Sequence, residues 1–162
     1  MSEQEKRLRR CCFTGHRPEK LIITEQEAVL SLTQEITTAI QSGFQTFISG
    51  MARGVDIWAA EIVLSLRDEG HPIRLICASP YNGFECRWSE AWQRRYADVM
   101  QRSDLVRYIC RGYSPACFQI RNEWMVDHSA RVIAVFNGEN SGTKNTIDYA
   151  NRVGVQVSII KC

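Results

Sequence analysis

The chain has 162 residues, of which 44% are hydrophobic and 23% charged, and its formal net charge is +2. That length fits one domain able to bury about 70% of its unfolded surface, and the near balance of charge excludes a polybasic nucleic-acid tail or membrane anchor. No apolar run approaches the ~20 residues of a bilayer span, and no apolar signal core follows Met1 to Arg10, so no membrane partner and a cytoplasmic location are expected.

Seven cysteines, an odd number lying mostly in or beside apolar segments, point to reduced thiols rather than a disulfide scaffold. No Cys-x-x-Cys occurs, and Cys110 with Cys117 is too loosely spaced for a zinc knuckle, so no metal site is expected from these or from His16, His71 and His128.

Met1 to Arg10 is polar and reads as a mobile lead-in or a frayed first turn, which places a single domain over residues 11–162. Cys11 to Thr14 is a short strand stopped by Gly15-His16-Arg17-Pro18. Thr14, Gly15, His16 and Arg17 gather a hydroxyl, an accessible backbone, an imidazole and a guanidinium at the strand's carboxyl end, where open α/β sheets bind ligands; the alternative is a solvated turn shaped by Pro18. Thr24-Glu25-Gln26-Glu27 is a capping box, and Val29, Leu32, Ile36, Ala39 and Ile40 continue as a helical stripe up to Gly43.

Phe44 to Ser49 is the second strand and leads into Ser49-Gly50-Met51-Ala52-Arg53-Gly54-Val55-Asp56. Read locally, this is a phosphate-binding strand-turn-helix. Gly50 and Gly54 allow close approach to the main chain, and the helix opening near Gly54 offers free N–H groups to an anion. Ser49 adds a hydroxyl, Ala52 an accessible main chain and Arg53 a guanidinium shaped for phosphate. An ordinary αβ turn that wants small residues is the competing reading. Val55, Trp58, Ala59, Ile62 and Leu66 then form a buried stripe closed by Gly70, with Trp58 assigned to the core.

Ile73 to Ala78 is a third strand and Ser79 to Gly83 a turn. From Phe84 to Arg102 a helix is expected, with Phe84, Trp88, Trp92 and Tyr96 four apart among arginines. These rings can stack on a base, form the interface of a homo-oligomer or pack under arginine stems; packing or an interface is favoured over stacking. Asp104 to Ile109 is a fourth strand. Cys117 to His128 has helical spacing and presents Arg121, Asn122 and Asp127 on its polar face. Val132 to Phe136, the fifth strand, ends in a polar loop over Gly138, Gly142 and Thr143, a further candidate phosphate cradle, and Val155 to Ile160 closes the chain.

Strands and helices alternate throughout, which argues for a mainly parallel sheet covered on both faces. Right-handed crossovers then bring the loops at Gly15, Gly50 and Gly138 to Thr143 to one rim. Neither Gly-x-Gly-x-x-Gly nor a Walker lysine is present, which disfavours a dinucleotide dehydrogenase or an ATPase.

Cys12-Phe13-Thr14-Gly15-His16-Arg17-Pro18, Ser49 to Asp56, Arg121 to Ser129 and Gly142-Thr143-Lys144-Asn145-Thr146 resemble the YpsA-like proteins of the SLOG superfamily, whose other branches include the DprA DNA-processing proteins and the LOG phosphoribohydrolases. The resemblance implies a Rossmann-like α/β/α sandwich and a nucleotide-derived or ADP-ribose-like ligand at the same loops. By position the ligand-facing residues would be Thr14, Gly15, His16, Arg17, Ser49, Gly50, Ala52, Arg53, Arg121, Asn122, Asp127, Gly142 and Thr143, to which the loops themselves add Gly54 and Gly138. The LOG branch carries a glutamate where this chain has Thr146, which leaves enzymatic activity open. If there is turnover, Asp127 or Glu123 is the candidate base and Arg121 the electrophilic clamp, with Asp56 and Glu61 as substitutes. Near-neutral charge argues against DNA binding as the main role. The expected function is a binding or sensing domain for a phosphorylated nucleoside, with a hydrolase of an N-glycosidic or phosphate-linked bond as the alternative.

Overall fold

The computed structural model describes every residue from Met1 to Cys162. Strands β1 (Arg10–Gly15), β2 (Thr46–Ser49), β3 (Arg74–Ser79), β4 (Leu105–Tyr108), β5 (Arg131–Phe136) and β6 (Gln156–Lys161) form one sheet in the order β4-β3-β2-β1-β5-β6. Every neighbouring pair is parallel. Helices α1 (Glu3–Arg7), α2 (Glu25–Gln41), α3 (Val55–Asp68), α4 (Glu90–Arg102), α5 (Cys117–Asp127) and α6 (Gly142–Arg152) complete the chain. None is long and apolar enough to cross a membrane.

Side-chain alternation along the strands builds two cores, as a period of two requires. Cys11, Phe13, Phe47, Leu75, Ile133 and Val135 point to the face covered by α2, α3 and α4. Cys12, Ile48, Ala78 and Val132 point to the opposite face, where Met125 and Val126 of α5 and Ala150 of α6 cover them. The result is the expected Rossmann-like α/β/α sandwich. The chain steps outward from β1 to β4 and then returns to place β5 on the other side of β1. That reversal opens a crevice above the carboxyl ends of β1 and β5, the place where such sheets take ligands.

The expected box at the start of α2 forms: Glu27 N–H donates to Thr24 Oγ1 at 3.1 Å, and Glu27 Oε2 accepts from Thr24 N–H at 3.0 Å. Two segments differ from the sequence reading. Residues 1–10 contain α1, capped by Ser2 and tied to β1 by an ion pair between Glu3 and Arg10 at 2.6 Å. The helix expected from Phe84 begins instead at Glu90, because Ser89 caps it by accepting the Trp92 N–H at 3.4 Å. Phe84 and Trp88 therefore sit in the preceding turn. Trp92 does pack as expected, with Trp58 beneath it and the Arg95 guanidinium 4.7 Å over its ring.

Gly54 carries φ +89°, and a Cβ there would lie 2.8 Å from Pro18 Cδ and 3.0 Å from the His16 carbonyl. The loop after β1 is thus seated directly on the start of α3. Gly43 has a similarly positive φ of +98° but open space around it. Gly54→Ala is expected to lose roughly 1–3 kcal/mol more stability than Gly43→Ala, since only Gly54 adds overpacking to backbone strain. Urea midpoints of the two variants measure the difference; equal losses would show that the loop does not rest on Gly54.

Candidate functional site

A cavity of about 430 Å³ lies in the crevice, within the usual range for small-molecule sites. The loop after β1 contributes Thr14, Gly15, His16 and Arg17, with Lys20 behind them. The β2–α3 turn supplies Ala52 and Arg53, and the first turn of α3 supplies Asp56. From the β5–α6 loop come Asn137, Glu139, Asn140 and Ser141, followed by Gly142 and Thr143 of α6. Arg121 and Asn122 of α5 also border the space, and Phe84, Trp88 and Phe118 form an apolar wall.

This wall is a connected aromatic cluster: Phe84 lies 5.0 Å from Trp88 and 5.7 Å from Phe118, centroid to centroid. Sequence periodicity hides it, because the four-residue spacing of Phe84 and Trp88 places them on a helix that starts only at Glu90, while Phe118 arrives from α5. A run of aromatics flanking the turn at Asn82-Gly83 was the available signal.

His16 joins the two sides of the crevice. Its Nε2 accepts the Asn137 N–H at 3.2 Å and its ring stacks on Phe136. Burial lowers its pKa, and the acceptor role of Nε2 leaves Nδ1 as the ring's donor. It is therefore a hydrogen-bonding wall rather than a cation for phosphate.

The central turn is partly occupied from within, by Ser49 and Asp56, while the start of α3 at Gly54 carries no side-chain cap. Ser49 is fully buried; its Oγ donates to the Asp56 carbonyl at 2.8 Å and accepts the Met51 N–H at 3.2 Å. The Ala52 N–H donates to Asp56 Oδ2 at 3.2 Å. Gly50 is required by the protein's own side chains: a Cβ would fall 2.9 Å from Asp56 Oδ2 and 3.0 Å from Arg121 Cδ, and its carbonyl accepts from Arg121 Nη1. Ser49, Gly50 and Gly54 do not border the cavity, whereas Ala52 and Arg53 do.

The N-terminus of α6 opens on the cavity, and α3 starts at Gly54 without a side-chain cap. Ser141 Oγ accepts the Lys144 N–H at 3.2 Å, while the N–H groups of Gly142 and Thr143, both bordering the cavity, have no partner in the protein. Such groups favour an anion. Gly138 shapes the preceding loop with φ +89° and lies off the cavity.

Arg121 and Asp56 form the floor. Arg121 is buried, with Nε donating to Asn122 Oδ1 at 2.8 Å; burial lowers its pKa, and the Asp56 charge opposes that shift. Asp56 is 6% exposed, and its Oδ1 has no hydrogen-bond partner. Burial pushes its carboxyl up to about 6, against the attraction of Arg121 and the Ala52 N–H. Named from sequence only as a substitute carboxylate, Asp56 is the buried acidic group that borders the cavity, with Glu139 as the exposed one. The other candidates lie elsewhere. Asp127 Oδ1 accepts from the Tyr149 hydroxyl at 2.6 Å near the far end of α5, and Glu123 accepts from Gln119. Neither borders the cavity, because only the α5 face bearing Phe118, Arg121 and Asn122 turns toward it. Thr146, at the position of the LOG glutamate, is buried and donates to the Gly142 carbonyl at 2.9 Å.

Residues 11–158 match the family model of YpsA, the YspA SLOG family. This chain belongs to the YpsA SLOG family. It is 32% identical over 139 residues to the uncharacterised SPbeta prophage-derived protein YoqJ of Bacillus subtilis, covering 78% of this chain and 80% of that one. A UPF0398 protein of Halalkalibacterium halodurans is 30% identical over 112 residues, covering 68% of this chain and 59% of its own length. Among solved structures, DNA processing protein A from Streptococcus pneumoniae superimposes with a TM-score of 0.68 at 18% identity, over 94% of this chain and 50% of that chain. The protein of that name from Helicobacter pylori, whose structure describes a single-stranded DNA binding mode, superimposes with a TM-score of 0.64 at 17% identity, over 97% of this chain and 66% of that chain. The YpsA chain thus shares a fold with part of these larger proteins.

Proposed function

We propose that this YpsA chain binds a nucleotide-derived ligand and serves as a sensing domain. The observation that carries the reading is the two-sided cavity. Phe84, Trp88 and Phe118 offer a base-stacking wall, while Arg17, Lys20, Arg53 and the unpartnered N–H groups of Gly142 and Thr143 offer charge and donors to phosphate. Arg53 is held in place by Glu19 at 3.1 Å. A hydrolase is the second reading, favoured by the unpartnered carboxylate oxygen of Asp56; in that case Asp56, not Asp127 or Glu123, is the base.

A thermal-shift screen against nucleotides, ADP-ribose and NAD, with product analysis of each hit, tests both. A ligand at a hundredfold excess over its Kd adds roughly 2.7 kcal/mol of apparent stability. A hit recovered intact supports sensing, and one recovered cleaved supports hydrolysis. No hit across the panel would overturn the nucleotide reading. Arg53→Ala is expected to weaken a phosphorylated hit about two- to fivefold, as suits a partly exposed charge, and to leave the matching nucleoside unchanged by calorimetry. Equal weakening of both would show that Arg53 does not meet the phosphate.

A further inference from the structure

The cavity-bordering groups follow the order of the strands that carry them. From β3 outward through β2 and β1 to β5 come the aromatic turn with Phe84 and Trp88, then Asp56, then His16, then Gly142 and Thr143. Three strand spacings cover about 14 Å, room for a base, a sugar and a phosphate in a row. With the base on the aromatic wall and the phosphate at the α6 N-terminus, the sugar falls at Asp56.

One carboxylate oxygen of Asp56 has no hydrogen-bond donor within the protein. Asp56 Oδ2 is used by Ala52 N–H, while Oδ1 is buried and unpartnered in a residue that borders the cavity. A buried carboxylate oxygen left without a donor is costly, and no side chain here supplies one. A cation is a poor fit, since the Arg121 guanidinium flanks the same Gly50 and no group of three or more His, Cys, Asp or Glu is placed to hold a metal. A neutral O–H donor fits.

We propose that Asp56 Oδ1 accepts a hydrogen bond from a ribose hydroxyl, so that the site selects ribonucleotides over their deoxy counterparts. This rests on the nucleotide reading above and adds to it the sugar and the residue that reads it. The physical source of selectivity is asymmetric: a deoxy ligand leaves the buried oxygen unpaired, whereas a ribose ligand satisfies it with a charge-assisted bond.

The test is calorimetric titration of the full chain at pH 7.5 with the four ribonucleoside 5′-monophosphates and their 2′-deoxy and 3′-deoxy forms. At least about a tenfold preference for the hydroxyl at one of the two positions is expected. Asp56→Asn should reduce that preference severalfold and Asp56→Ala bring it near one, read as the ratio of ribose to deoxy affinity within each variant. Deoxy and ribose forms binding the wild type equally would overturn the proposal and leave nucleotide binding standing. A preference that survives in both variants would overturn the role of Asp56. Binding of none of the twelve would overturn the nucleotide reading and the proposal together.

Discussion

Asp56→Asn is expected to be more heat-stable than the wild type at pH 7.5 and to lose that advantage at pH 4. The carboxyl is raised from 3.8 to about 6 by burial, so between those values the folded chain holds a proton that the unfolded chain releases. Stability from this group therefore falls as pH rises through the window, and the loss is complete above pH 6. A shift of about two units corresponds to roughly 3 kcal/mol. Asparagine removes the buried charge and keeps an oxygen for the Ala52 N–H, which should raise Tm by several degrees at neutral pH. Carboxyls such as that of Glu19, lowered first by a backbone hydrogen bond and also by Arg53, change stability in the opposite sense at lower pH. The difference between variant and wild type cancels them. Denaturation scans at pH 4, 5, 6 and 7.5 decide the matter: a constant difference would mean that Asp56 titrates as a solvated carboxylate. A neutral-pH gain would also mark Asp56 as a residue kept at a cost in stability, as functional groups often are.

Arg121→Ala should carry the largest loss. Its guanidinium is buried, donates to the Gly50 carbonyl and to Asn122 Oδ1, and opposes the Asp56 charge. Removing it leaves two acceptors without donors and one buried carboxylate without a countercharge, for which about 3–5 kcal/mol is expected. In the Asp56→Asn background the same substitution should cost less by about 1 kcal/mol or more, because no charge is then stranded. Urea unfolding of the four members of this cycle at pH 7.5 measures the coupling. Strict additivity would show that Arg121 supports only the Gly50 turn and not the carboxylate.

The regions read correctly from sequence share a local cause. The Thr24–Glu27 box, the alternation of strands and helices, and the meeting of the β1, β2 and β5 loops at one rim all follow from short-range hydrogen bonding, side-chain period and crossover handedness. Thr14 to Arg17, Ala52, Arg53, Arg121, Asn122, Gly142 and Thr143 border the cavity for that reason.

What the local reading placed wrongly depended on which group fills a space. Gly50 and Gly54 look the same whether a ligand or the protein approaches them; here Asp56, Arg121, Pro18 and His16 do. Free N–H groups at a turn attract any acceptor, and a carboxylate four residues after Ala52 reaches that site before a ligand can. Phe84 and Trp88 keep a helical spacing although Ser89 starts the helix after them, so periodicity alone misassigned their surroundings. The sequence by itself determined the parallel α/β/α layering and the rim that gathers the loops, because propensity, alternation and crossover handedness act locally or topologically. Only the tertiary structure decided that Ser49 and Gly50 are engaged by the protein's own groups, that the aromatic wall includes Phe118, and that Asp56 rather than Asp127 borders the cavity. Those outcomes are set by packing between segments distant in the chain, where burial and charge pairing fix which polar atoms are consumed internally and which are left open.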